Sequence, residues 1–399
     1  MQVVFNVQLR YDVGMLCRLE RRVQQQLRDL DARALRRSVR APAGIDLSSN
    51  DYLGLSTHPR LKRRMERAVR REGCGSTGSR LLRGERDCFS AVERRFAAFK
   101  HTARALYFSS GYLANLAVLT TLPSEGDVVY SDRHNHASLI DGMRLSRATR
   151  VVFPHNDVGA LARLLSEDVG GGQRFVVTES LFSMDGDAAP LAAYAALCRA
   201  ADAALIVDEA HAVGVYGERG SGLIEASGVG EDVCLSVNTA GKALGVSGAF
   251  VAGPDWAIEH LMQHARTFLF STAAPPPVAA ALDASLSVIA EEPERRQLLH
   301  ARARYLRRHL ADADLVPRAP SSQIVPIMLG EAHRAVMVAA ILQREGFDVR
   351  AIRPPTVPEG TARLRITVNV NVSEAALDRF VPALSAIMRE SAPCAQASL

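Results

Sequence analysis

The chain has 399 residues, 48% hydrophobic and 23% charged, the balance of a folded globular protein rather than a disordered one. Its apolar runs are shorter than the about 20 residues that a bilayer-crossing helix needs, and residues 1–14 lack the basic-then-apolar order of a signal peptide. Lys and Arg number 48 against 43 Asp and Glu, a net charge of +5, and the six cysteines (Cys17, Cys74, Cys88, Cys198, Cys234, Cys394) form no CxxC pair. That pattern argues against a disulfide framework and a zinc site and fits a reducing cytoplasm.

Residues 1–14 read unlike the rest of the chain, either as a loose arm or as a leader to a start at Met15. A charged helical pattern over residues 16–40 is expected to end at Pro42 and Gly44. A turn-rich segment, Ser48-Ser49-Asn50-Asp51-Tyr52-Leu53-Gly54, precedes a helix over residues 60–71 that Gly73 breaks. The charge excess lies early, in Arg18 through Arg40 and Arg60 through Arg71. Such a run is a solvated helix face, a nucleic-acid surface, or a surface for a polyanion such as an acyl-coenzyme A. No zinc-finger spacing or RNA-binding aromatic motif accompanies it.

Short β-rich runs come next, at 105–108, 127–131, 150–153, 175–178, 205–207, 233–237 and 249–252. Amphipathic segments at 111–121, 158–167 and 190–201 separate several of them. The alternation predicts an α/β fold, a mostly parallel sheet with helices on both faces. After the Pro275–Pro277 triplet, a long helical pattern leads to a second α/β unit. Its strands are expected at 324–329, 349–352 and 363–368, and its helices at 332–345 and 373–390. The divisions expected are a helical arm over 1–48, a large unit over 49–285 and a small one over 286–399.

Two segments carry chemistry. Leu205-Ile206-Val207-Asp208-Glu209-Ala210-His211 delivers an acid at the carboxyl end of a strand, where α/β sheets bind ligands. Asn238-Thr239-Ala240-Gly241-Lys242 sets a lysine among small residues just past another strand. Desolvation there would lower its pKa and suit an imine-forming amine. No GxGxxG opens a helix after an early strand, which argues against a nicotinamide dehydrogenase.

Together these segments resemble the pyridoxal 5′-phosphate (PLP) enzymes of fold type I. Further runs narrow the resemblance to the α-oxoamine synthase family: Ser48 through Leu55, Gly75-Ser76-Thr77-Gly78-Ser79-Arg80, Ser110-Gly111-Tyr112-Leu113-Ala114-Asn115, His136-Ala137-Ser138 and Ser183-Met184-Asp185-Gly186-Asp187. It covers residues 30–390. The resemblance implies a decarboxylative C-acyltransferase joining an amino acid to an acyl thioester carried by coenzyme A or acyl carrier protein. Gly245-Val246-Ser247-Gly248-Ala249 and Ile352 through Thr367 are most similar to the branch that uses L-alanine and a pimeloyl group in biotin biosynthesis. Sister branches use glycine, serine or other acyl chains. A non-catalytic partner subunit of the same fold is the remaining alternative, against which Lys242 counts.

The resemblance also implies roles. Lys242 is the Schiff-base lysine and proton-transfer base, Asp208 the pyridinium partner, His211 a hydrogen-bond partner of the cofactor's phenolic oxygen, and His136 the ring-stacking and carbonyl-polarising residue. Gly111, Tyr112 and Thr239 are phosphate-side contacts, and Ser183 lies near the ring. Ser271 and Thr272 reach phosphate from a second subunit, which makes a homodimer with shared sites. Arg365 clamps the amino-acid carboxylate, Asn50 and Thr356 line the substrate side, and Arg36 contacts the acyl substrate. Strand alternation puts Arg363 on the same face as Arg365, and an extended backbone would put His134 beside His136. Two departures from the family's pattern, Ala243-Leu244 after the lysine and the short 42–48 segment, bear on the acyl pocket.

Overall fold

The computed structural model describes residues 17–167, 170–316 and 322–390; the expectations for residues 1–14, Met15, Leu16 and Cys394 lie outside them. Helix α1 (Arg18–Ala32) buries none of its residues. It stops well short of Pro42, which corrects the expected end. Ala34 adopts the left-handed conformation (φ 53°). The Leu35 N–H then donates to Leu30 O at 2.8 Å and the Ala34 N–H to Asp31 O at 3.0 Å. This is a Schellman turn with alanine where glycine is usual, and it drives Leu35 into the core. The arm over residues 33–44 then crosses to β1 (Ile45–Asp46).

Helices α2 (Pro59–Glu72) and α3 (Asp87–Lys100) precede the main alternation: β2 (Arg104–Phe108), α4 (Gly111–Thr121), β3 (Val128–Asp132), α5 (Ala137–Leu145), β4 (Thr149–Phe153), α6 (Val158–Ser166), β5 (Arg174–Glu179), α7 (Leu191–Ala200), β6 (Ala203–Asp208), α8 (Leu223–Ala226), β7 (Val233–Thr239) and β8 (Ala249–Gly253). Seven strands make one sheet in the order β2-β8-β7-β6-β5-β3-β4. It is parallel from β7 to β4, while β8 runs antiparallel to both neighbours. Leu205, Ile206 and Val207 are wholly buried, because helices cover both faces and a central parallel strand therefore reads as an unbroken apolar run.

The chain continues through α9 (Asp255–His264), α10 (Arg266–Leu269), α11 (Pro276–Glu291) and α12 (Glu294–Asp312). Two prolines occupy the first turn of α11, where their missing N–H groups cost nothing. Residue 285, the boundary expected between large and small units, falls inside this helix. The last elements are β9 (Ile324–Gly330), α13 (Ala332–Arg344), β10 (Phe347–Asp348), β11 (Ala351–Ile352), β12 (Ala362–Thr367) and α14 (Glu374–Glu390). Here β11, β12 and β9 form an antiparallel sheet, and β1 pairs in parallel with β10. One core cluster joins Leu47, Tyr52 and Leu55 to Phe250, Leu282, Val325 and Leu364. Among the described residues no helix is long and apolar enough to cross a membrane.

Candidate active site

Strands β5, β6 and β7 end side by side in Glu179, Asp208 and Thr239. Asp208 is 5% exposed. Its carboxylate accepts from Asn115 Nδ2 of α4 at 2.7 Å and from the Ala210 N–H at 2.8 Å. The same Asn115 amide donates to Ser138 Oγ at 2.9 Å, and Ser138 Oγ lies 2.7 Å from His136 Nδ1. Glu179 faces Asp208 across the strand pair. Burial first, and then the charge of Asp208, push its carboxyl well above the usual range.

Lys242 lies three residues past β7, in a tight connection closed by Ala240 N–H to Gly248 O at 2.8 Å. Burial lowers its ammonium to about 8, although the Asp208 and Glu179 carboxyls oppose the shift. Its Nζ is 2.7 Å from His211 Nε2. His211 Nδ1 is 2.5 Å from Tyr52 Oη, and burial followed by the charges of Lys242 and Arg365 holds that imidazole well below its ordinary pKa. Tyr52 is pushed up by its own burial. With a neutral ring, the Lys242 ammonium donates to Nε2, Nδ1–H donates to Tyr52 Oη, and Tyr52 donates to Asn50 Oδ1 at 3.2 Å. That oxygen also accepts from Arg365 Nη1 at 3.0 Å. A single hydrogen-bonded chain thus links Lys242 to Arg365.

The two arginines that strand alternation left equivalent are separated by their partners. Arg363 is committed to the Asp185 carboxylate and to Met184 O. Arg365 bonds Ser183 O at 2.5 Å, Thr367 Oγ1 at 2.8 Å and Asn50, so no carboxylate of the chain neutralises it among the described residues. His134 does not stand beside His136. A turn succeeds β3, and His134 stacks on His155 with centroids 4.1 Å apart. His155 in turn bridges Asp132 and Asp187 at 2.9 and 2.7 Å.

Ser110 caps α4 by accepting the Leu113 N–H at 3.2 Å. A Cβ at Gly111 would meet Thr239 Oγ1 at 2.4 Å, so only glycine lets the start of α4 approach that hydroxyl. Tyr112 is exposed and donates to Asp141 at 2.5 Å. Ser183 is buried. Ser271 and Thr272 lie beside exposed Phe270, at the chain's surface. Arg36 bonds Asp31 at 2.6 Å on the arm, and Thr356 is exposed at a turn after β11, so neither meets Lys242 directly. Ala243 and Leu244 pack fully into the core. Sequence alone assigns no role to Tyr52, Asn115, Glu179 or Gln323, whose Nε2 donates to His211 O at 2.8 Å. Tyr52 and Asn115 sit inside the Ser48–Leu55 and Ser110–Asn115 motifs, and that membership is the one signal that could have found them.

This arrangement, on this sheet, is that of the fold type I transferases. The model of the aminotransferase class I and II family matches residues 42–384, and the chain belongs to that family. Within it, the chain is 45% identical to the 8-amino-7-oxononanoate synthase of Geobacter sulfurreducens, across 93% of this chain and 99% of that one. It is 46% identical to the enzyme of the same name from Alkalilimnicola ehrlichii, across 85% and 87%. Among solved structures, a serine palmitoyltransferase of S. paucimobilis with bound PLP–myriocin matches with a TM-score of 0.87 at 29% identity, covering 92% of this chain and 97% of that one. The 8-amino-7-oxononanoate synthase of Francisella tularensis matches with 0.75 at 30%, covering 87% and 98%.

Proposed function

We propose that this chain condenses L-alanine with a pimeloyl thioester of coenzyme A or acyl carrier protein, forming 8-amino-7-oxononanoate, CO2 and the free thiol in biotin biosynthesis. The observation that carries the reading is the hydrogen-bonded chain from Lys242 through His211 to Arg365, in a protein 41–46% identical to several of that name. The reading divides the molecule into an arm over 1–48, a large unit over 49–285 and a small one over 286–399, and assigns it to the cytoplasm.

PLP fits the donor set. Lys242 is a desolvated amine, Asp208 a buried carboxylate held by Asn115, and Gly111 and Thr239 make a close-set anion cradle at a helix start. When bound, PLP supplies an electron-withdrawing ring that lets the bond beside the amino group ionise. The protein's part is positioning and proton handling. Asp208 keeps a ring-nitrogen proton in place. Lys242 Nζ, with a pKa of about 8, takes and returns the substrate's α-proton near neutral pH. Arg365 holds the amino-acid carboxylate with its planar fork, next to Asn50. His136, exposed at the start of α5, is assigned to polarise the thioester carbonyl. His211 and Ser183 hold the phenolic oxygen, while Tyr112, Ser271 and Thr272 complete the phosphate end. Thr356 and Arg36 serve the acyl substrate.

The reading includes a homodimer. Leu82, Phe270 and Leu145 are 82%, 73% and 65% exposed, apolar surface that a second copy could cover, and Ser271 and Thr272 lie next to Phe270 in the chain.

The test is thiol release by the PLP-loaded protein from pimeloyl-coenzyme A with L-alanine, glycine or L-serine in parallel. Release with alanine alone, with a nine-carbon aminoketone by mass spectrometry, is expected. Release only with glycine or serine would overturn the assignment in favour of a sister reaction.

A further inference from the structure

Three guanidinium groups outside the site stand together without an acid. Arg353 comes directly after β11 and lies against the arm, where it donates to the Ala34 carbonyl and, at 3.5 Å, to that of Arg36. Its Nε is buried and has no hydrogen-bond partner. Arg37, on the arm, donates to Pro354 O at 3.1 Å. Arg40 donates to Gln343 Oε1 at 3.1 Å and to Ser38 Oγ at 3.3 Å. The acids nearby are already engaged: Asp31 by Arg36, Glu359 by Arg33 and Asp348 by Arg350. Among the described residues none of the three arginines has an ion pair. Burial, and then the charges of Arg37 and Arg40, depress the Arg353 guanidinium below the arginine range. Gathering three like charges around neutral acceptors is unfavourable, and an anion in their midst reverses the sign.

We propose that Arg37, Arg40 and Arg353 bind a phosphate group of the thioester donor. The assignment rests on the thioester reading above and adds to it the end of the donor remote from the reacting carbon. Arg37 and Arg40 are exposed, as a site for the outer end of a long substrate must be. Arg353 also sets the turn carrying Thr356, whose N–H donates to Arg353 O at 3.1 Å. Three cations exceed what one carboxylate neutralises, and guanidinium forks match phosphate oxygens in pairs. Arg36 is the neighbour that does not join, because Asp31 holds it.

Coenzyme A carries a 3′-phosphate and a diphosphate, whereas a carrier protein offers only the single phosphate of its prosthetic arm. Calorimetric titration of the PLP-loaded protein with coenzyme A, dephospho-coenzyme A and 4′-phosphopantetheine separates these sources. The Arg37→Gln/Arg40→Gln variant removes exposed side chains and leaves the core untouched. Arg63→Gln/Arg67→Gln on α2 removes the same charge elsewhere. The arm variant is expected to bind coenzyme A about tenfold or more weakly, the α2 variant within about twofold of the unchanged protein. A contrast confined to coenzyme A assigns the 3′-phosphate, and one shared by all three probes assigns the phosphate common to both carriers. Equal affinities in the unchanged protein and the arm variant, equal losses in both variants, or no binding of any probe would overturn the proposal. Turnover plays no part in this readout. A protein that keeps the arginine contrast yet releases no thiol retains the site and loses the proposed reaction.

Discussion

At the carboxyl end of the large sheet, Asp208 is 5% exposed and His211 4%, and each meets partners from other elements. Along the arm over residues 33–44 only Leu35 is buried, and the contacts to the small unit are hydrogen bonds, mostly from arginines, with one ion pair from Arg33. The first region uses burial to change what its groups are: an ammonium near 8, an imidazole held well below its ordinary pKa and a glutamic acid pushed well above its own. The second keeps its arginines at the surface and works by attraction, which salt screens within about 10 Å at 0.1 M. On the proposed readings, bond-making chemistry and recognition of a charged donor occupy places with different physics, and perturbing each should give a different signature.

The sharpest way to break this comparison is Lys242→Ala. It is expected to lower turnover at least about a thousandfold, with circular dichroism and melting close to the unchanged protein. A small loss would mean that the buried region does not carry the chemistry. Next in size is the contrast between two arginines on one strand. Arg365→Met should raise the KM for the amino acid by about a hundredfold, because a charge-assisted pair is lost. The KM for the thioester should stay within about twofold. Arg363→Met should change the amino-acid KM less than about tenfold, since its guanidinium already serves Asp185. Equal effects would erase the distinction drawn from their partners.

The smallest effect concerns His155, at the edge of the same region. Burial opposes its protonation, yet hydrogen bonds to Asp132 and Asp187 raise its pKa to about 10. The folded-state value lies above the unfolded one of about 6.5. The stabilisation is therefore complete below about pH 6.5 and lost as pH rises through about 10. His155→Asn should cost about 2 kcal/mol at pH 6 in urea unfolding, and clearly less at pH 10.5. A cost independent of pH would mean that the ring matters through packing alone.

Much of this was readable in the chain itself. The strands of the large sheet fall within one or two residues of their apolar runs, because all but the edge strand β4 are largely buried. Asp208 and Lys242 stood out because a strand end fixes where each side chain goes. What the sequence concealed depended on distant partners. Arg363 and Arg365 look alike until Asp185, 178 positions away, claims one of them. Tyr52 acquires its place only through His211, 159 positions on, and Asn115 through Asp208, 93 positions on. The early end of α1 escaped because alanine, not glycine, occupies its left-handed position. His134 escaped because a turn replaced the extended backbone that would have set it beside His136.

The joining of the two ends of the chain has a consequence for its synthesis. Thr367 N–H donates to Leu47 O, and Val370 N–H to Tyr52 O. Asn50 meets Arg365 across 315 positions. On a ribosome adding about 5–20 residues per second, the segment around Asn50 waits roughly 15–60 seconds for its partners to be made. Throughout that interval Leu47 and Tyr52 lack the Leu364, Ile366 and Val370 part of their core cluster. The corner formed by Asn50 and Arg365 is consequently among the last parts to close, and a nascent chain that ends before β12 can hold Lys242 in its strand connection while lacking the arginine at the other end of its hydrogen-bonded chain.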